Sequence, residues 1–360
     1  MATFVWAAAI AGNWSVGANW QVGGVPQIAP PTAADDVVMG SGTGATNSNC
    51  TVDGACVCRS LDQGVADYTG TLATGTSANS LTIGDGTAGA GNIALRISTA
   101  STFTGTTSTI TFASTSATQQ TINSGGKTLM GITINGAGSS YILGGNLTIG
   151  AGGRIFNITA GTFNDGGYAV SFGKFNSSNS NTRTITATGN WTCTDTAGGT
   201  AWTTNTSTNL TWSFTGTLTL GGSGTDQTVT PGGLVFGAIS ITTTANVLLT
   251  GSVQTTNNFT VTSPKTITVT NGRTITVGGQ LIMTGSSGNV ITILSSSAGS
   301  AFTFSKSSGI VSCDWLSLKD STASGGATFY AGNNSTNVSG NTGWIFTAPP
   351  SSGFFMVSSS

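Results

Sequence analysis

Apolar and polar residues alternate along most of this chain with a period of two, in short runs separated by glycine or asparagine. Clear examples are Ser80-Leu-Thr-Ile-Gly84, Ser108-Thr-Ile-Thr-Phe-Ala113, Gly131-Ile-Thr-Ile-Asn135 and Asn146-Leu-Thr-Ile-Gly150. Later ones are Thr217-Leu-Thr-Leu-Gly221, Ala238-Ile-Ser-Ile-Thr242 and Asn258-Phe-Thr-Val-Thr262. Such alternation predicts strands with one face in a core and a Thr/Ser face outward. It places Ile132, Ile134, Leu147, Ile149, Leu218, Leu220, Ile239, Ile241, Phe259 and Val261 inside. Gly144-Gly145, Gly152-Gly153 and Gly278-Gly279 supply turns. No segment reads as a helix, because Thr, Val and Ile dominate and good helix formers other than Ala are sparse.

The motif recurs without a strict period. Its clearest echo is Lys265-Thr-Ile-Thr-Val-Thr-Asn-Gly272 followed directly by Arg273-Thr-Ile-Thr-Val-Gly-Gly-Gln280. The texture runs from about Leu72 to about Ile310 without a linker, whereas a sandwich closes within roughly 100 residues. A solenoid of stacked coils suits it better. The expected fold is all-β, a right-handed parallel β-helix with atypical capping ends; stacked β-sandwiches are the alternative. The expected organisation is a cap or attachment region over 1–60, a solenoid over 61–312, a second cap over 313–347 and an extended tail over 348–360.

Composition narrows function. Only 6% of the 360 residues are charged, against roughly 25% in ordinary domains, and net charge is −1. With 37% hydrophobic residues the chain can bury a core, so it is ordered rather than disordered. Lys and Arg do not cluster, which argues against nucleic acid as a partner. No stretch reaches the ~18 apolar residues needed to cross a bilayer as a helix. Phe4 to Ala11 is apolar but lacks a basic flank, and makes a poor signal peptide. That combination suits release by lysis, as virus particles are released.

Candidate chemistry is thin. The chain has no His and no Glu, the commonest acid/base residues besides Asp. Asp314 with Asp320, and Asp35 with Asp36, are the carboxylate pairs a glycosidase would need. Neighbours such as Asp35 and Asp36 point to opposite faces of a strand, and Asp at a strand end is usually a turn-former. Gly221-Gly-Ser-Gly-Thr-Asp226 resembles one copy of a calcium-binding repeat that works only in tandem. Five cysteines, with Cys56 and Cys58 on one strand face and Cys50 near them, read as buried reduced thiols, with no zinc spacing. No catalytic, cofactor-binding or metal residue is assigned, and no cofactor is expected.

The ends carry the remaining signal. Gly12-Asn-Trp-Ser-Val-Gly-Ala-Asn-Trp20, then Gly24-Val-Pro26 and Asp35-Asp-Val-Val38, resembles the opening of β-helical surface proteins of bacterial adhesins and phages. Asp320 to Asn334 leading into Gly343-Trp-Ile-Phe346 resembles the end of β-rich structural proteins of tailed bacteriophages. These motifs cover roughly a quarter of the chain. The resemblance implies a virion component (capsid decoration, fibre or tail appendage), commonly a homotrimer, and transfers no catalytic residue. The expected function is therefore a non-enzymatic structural virion protein at the virion surface. Its partners would be further copies, capsid or tail subunits and a host glycan. The alternatives are a bacterial cell-surface adhesin and a depolymerising tail spike. Trp14, Trp20, Trp315 and Trp344 are expected to plug the solenoid ends, with sugar stacking as the rival role. Trp14 and Trp20, with Phe354, Phe355 and Met356 on the tail beyond Pro349-Pro350, are the assembly contacts expected.

Overall fold

The computed structural model describes residues 1–75, 79–105, 108–223, 225–262 and 265–350. Among them there is no α-helix, only short 3-10 turns at Gly17–Asn19 and Ala90–Asn92 between β-strands. The strands pair in parallel, each with the strand one coil further on, and the fold is a parallel β-solenoid. Antiparallel pairing between named strands is confined to Trp20–Val22, which joins Thr3–Trp6 on one side and Val25–Pro26 on the other. Stacked sandwiches built of antiparallel meanders are thereby excluded.

Each complete coil has three strands, so the solenoid is a three-faced prism. In one coil Thr217–Leu220, Gln227–Thr230 and Val235–Phe236 follow one another; the next repeats them as Ala238–Ile241, Val247–Leu249 and Val253–Thr255. Nearer the N-terminus two strands, Gly131–Leu143 and Ile155–Asn164, run around a corner and serve two faces each. Corner lengths vary. Ile239 pairs with Phe259, a step of 20 residues, whereas Trp191 pairs with Leu218, a step of 27. That variation is why no strict period shows in the sequence. The tandem echo is likewise not one coil above another. Lys265–Val269 and Thr274–Val277 lie on adjacent faces of a single coil and pair onward with Ile291–Ser295 and Phe302–Ser305.

Alternation does the folding work. Strand after strand shows buried and half-buried residues in turn, as in Thr217–Leu220 and Lys265–Val269. All ten residues placed inside by their spacing are buried, in one hydrophobic cluster that runs from Phe4 to Trp344. Corners close tightly: a Cβ at Gly216 would stand 1.9 Å from the carbonyl oxygen of Gly189 in the preceding coil, so only glycine fits.

The ladder extends into both segments set aside as caps. Thr3–Trp6, Asp36–Val38 and Ser60–Asp62 already stack in parallel, as do Leu316–Lys319 and Thr336–Ser339 at the other end. The atypical composition at the N-terminus reflects a hairpin laid over the first coil rather than a separate architecture. Of the expected tail, residues 351–360 lie outside the described residues, and Phe354, Phe355 and Met356 with them.

Candidate functional site

The carboxylates that could carry chemistry are engaged in holding the backbone. Asp35 accepts from the N–H of Ala2 at 3.0 Å and from the hydroxyl and N–H of Thr32. Asp36 faces elsewhere, bonded to Arg59, to the Ser60 hydroxyl at 2.6 Å and to the N–H of Ala90. Burial alone would raise the Asp36 carboxyl, but these donors outweigh it and hold it below the usual range. The two adjacent residues form no catalytic pair.

Asp314 and Asp320 stand at opposite ends of Leu316–Lys319, a four-residue strand spanning roughly 13 Å. Asp314 accepts from the N–H of Trp315 and from both the N–H and the side-chain amide of Asn334. Slight burial raises its carboxyl, and the Asn334 and Trp315 donors lower it further than that. Asp320 is buried and takes the N–H of Gly299 at 3.1 Å. Both residues are formers of corners.

At the Gly221 loop, Asp226 accepts from the N–H of Asn246 in the next coil, and the Thr225 hydroxyl reaches the Thr196 carbonyl. Gly224 lies outside the described residues. Among those described, no group of three or more His, Cys, Asp or Glu comes together. All five cysteines are buried as free thiols. Burial pushes the Cys193 and Cys313 thiols up to about 12, far from the thiolate that reactivity or metal binding requires.

The tryptophans divide. Trp14 and Trp20 are buried with Trp6, ring centres 4.9 Å apart at Trp6–Trp20 and Trp14–Trp20, and the Trp20 indole N–H bonds the Trp14 carbonyl. They fill the first coil and offer no ring to a partner, so as surface assembly contacts they are corrected to core residues. Trp344 plugs the far end against Phe304 and Phe329. Trp315 instead sits half-buried at a corner with φ +57°.

Sequence reasoning missed the buried charges. Asp165, fully buried, accepts from the N–H groups of Gly167, Thr188 and Gly189 and from the Trp191 indole. Among the described residues no carboxylate pairs with Arg183; its guanidinium donates to the carbonyls of Ser177, Asn181, Thr206 and Thr208 and to the Ser177 hydroxyl. The Lys265 ammonium lies on the carbonyls of Ile241 and Thr243 and the Thr262 hydroxyl, and burial pushes it down to about 8. A signal existed for two of them. Arg183 shares parity with Ile185 and Ala187, and Lys265 with Ile267 and Val269, so alternation itself points both inward.

Outside, the solenoid presents hydroxyls. Thr148, Ser171, Thr192, Thr219, Ser240 and Thr260 pair in register on successive coils of one face. The rungs of such a column are ~4.8 Å apart. An open groove of about 420 Å³ between two corners is lined by Asn205, Thr230, Thr250, Ser252, Arg273 and glycines. One arginine among hydroxyls and amides supplies no acid/base pair.

Comparison with known proteins finds no family model, no curated protein and no solved structure that matches this chain.

Proposed function

We propose that this chain is a non-enzymatic structural protein on the outside of a tailed-phage particle, as a capsid decoration, fibre or tail appendage. It associates with further copies of itself and with capsid or tail subunits. One observation carries the proposal: the candidate carboxylates Asp35, Asp36, Asp314 and Asp320 are all bonded to their own fold, while the outward face is a regular array of hydroxyls. A neutral, hydroxyl-covered rod suits an exposed scaffold or adhesive element better than a site of turnover. The resemblance of the end segments points the same way.

The test is fractionation with an antibody to the chain. In lysates of cells producing the phage, the protein is expected to sediment with intact particles and to label their exterior in electron micrographs. Recovery in the cell envelope of uninfected cells would favour the adhesin instead. Release of reducing sugar from host polysaccharide would make the chain a depolymerase and overturn the non-enzymatic assignment.

A further inference from the structure

One corner of the prism is recessed where its connection is shortest. Thr250, Gly251 and Ser252 alone join Leu249 to Val253. Pro231 to Leu234 make the same turn in the coil before, and Thr270 to Arg273 make it in the coil after. The longer corners wall the short one, and Asn205 extends the wall one coil further back. This is the open groove of about 420 Å³, running along the axis across four coils and roomy enough for a small ligand.

Its polar atoms are unevenly committed. Asn205 Oδ1 accepts the hydroxyls of Thr203 and Ser178, Ser252 Oγ accepts the N–H of Thr274 at 3.1 Å, and Thr230 Oγ accepts the Thr250 hydroxyl at 2.8 Å. Among the described residues nothing accepts from the Asn205 amide, from the Thr230 and Ser252 hydroxyls or from the Arg273 guanidinium. Other cations of this chain serve the fold: Arg59 pairs with Asp36, Arg96 with Asp62, and Arg183 and Lys265 sit on carbonyls. Arg273 is exposed and faces the groove instead.

We propose that this groove binds an acidic saccharide, with the Arg273 guanidinium clamping a sugar carboxylate. The Asn205, Thr230 and Ser252 donors take the ring and hydroxyl oxygens of the same or the next sugar. A guanidinium meets a carboxylate as a two-pronged fork, and a groove with donors to spare selects an oxygen-rich anion. One cation is too few for nucleic acid, whose binding rests on several phosphate contacts. A peptide needs an apolar pocket or a free strand edge, and this lining is polar side chains and glycine. The proposal deepens the adhesive part of the reading above by naming what the exposed element holds.

Calorimetric titration of the full chain with oligogalacturonate, hyaluronan and a sialylated oligosaccharide tests it. The parent is expected to bind at least one of them, at least about tenfold more tightly than its methyl ester, which keeps the sugar and loses the charge. Arg273→Gln should cost a similar factor and leave the melting temperature unchanged, because no described residue pairs with that guanidinium. Asn205→Asp keeps an acceptor for Thr203 and Ser178 but sets a carboxylate against the ligand, so it should abolish binding; it serves if Arg273→Gln misfolds. Lys127→Gln, several coils toward the N-terminus, should change nothing. Binding of none of the three saccharides overturns the proposal. So does equal affinity for the esters or for dextran sulfate, retained binding in both groove variants, or an equal loss in Lys127→Gln. Any of these leaves the virion assignment standing, since sedimentation with particles does not depend on the groove.

Discussion

Between Phe156 and Phe236 the core of the prism is aromatic; from Ala238 to Ser295 it is almost wholly aliphatic, with Phe259 the one ring inside. In the first region Phe156, Phe163, Phe172, Phe175, Trp191, Trp202, Trp212, Phe214 and Phe236 form a continuous ring network, with Phe175 and Trp202 only 4.3 Å apart. In the second, Ile239, Ile241, Val247, Leu249, Val261, Ile267, Val269, Leu281, Met283 and Ile293 fill the same inward positions. The rungs are alike in both, so strand geometry does not choose the filler. What differs is the polar support. Each indole brings an N–H inside that needs an acceptor. Trp191 finds Asp165, Trp202 finds the Thr204 hydroxyl and Trp212 finds the Val235 carbonyl. The aliphatic coils make no such demand. The buried carboxylate of Asp165 thus has a structural task, accepting the indole N–H of the buried Trp191.

The largest expected effect separates the two fillers. Trp191→Ala removes a ring in contact with Phe156, Phe172, Phe175 and Phe214 and should cost about 5 kcal/mol. Ile239→Ala should cost about 3 kcal/mol. Chemical denaturation would measure both, and equal losses would mean that the aromatic network adds nothing beyond volume. Next comes the support itself. Asp165→Ala leaves the buried N–H groups around it unpaired and should cost about 3 kcal/mol, each such group being worth roughly 1–3. In a Trp191→Phe background the loss should shrink, because one donor is already gone. An unchanged loss would uncouple the carboxylate from the tryptophan.

The aliphatic region was the more legible of the two. Alternation alone placed Ile239, Ile241, Phe259 and Val261 inside, since a period of two is a local property of strands and survives any corner length. Coil boundaries were not legible, because 20-residue and 27-residue steps mix and the eye finds nearest neighbours such as the 265–272 and 273–280 echo instead. Asp165 was illegible for a different reason. It sits in a Gly-rich turn where Asp is ordinary, and its indole partner lies one coil away, 26 residues on. The position of Trp14 and Trp20 at an atypical end was read correctly as end-filling, but the same position suggested contacts that their burial denies.

A smaller effect concerns the cation buried in the aliphatic coils. Burial lowers the Lys265 ammonium from its ordinary 10.5 to about 8. Between those values the unfolded chain holds a proton that the folded chain has released, so raising the pH across this window adds stability. The buried thiols oppose it: Cys193 and Cys313, raised toward 12, keep protons that the unfolded chain loses above about 9, so their contribution falls as pH rises. Comparing the parent with Lys265→Met isolates the lysine. The parent should gain about 2 kcal/mol on the variant between pH 8 and 10.5, since a proton held by only one of the two states is worth ~1.4 kcal/mol for each pH step of one. Parallel stability curves would show that the carbonyls of Ile241 and Thr243 hold the ammonium charged throughout.

The smallest effect should be the same in both regions. Asparagines just before a strand accept an N–H from the following coil: Asn190 from Thr217 at 3.0 Å in the aromatic part, Asn258 from Gln280 at 2.8 Å in the aliphatic part. Both bonds lie at exposed corners, outside the core, and water can replace the lost acceptor. Asn190→Ala and Asn258→Ala should each cost about 0.5–1 kcal/mol, with little difference between them. Such equality would mean that the contrast between the regions resides in what fills the prism and not in how its coils are tied together. If Asn190→Ala proved much the costlier, the aromatic coils would depend on their corners as well. The larger loss at Trp191 could then no longer be assigned to ring packing alone.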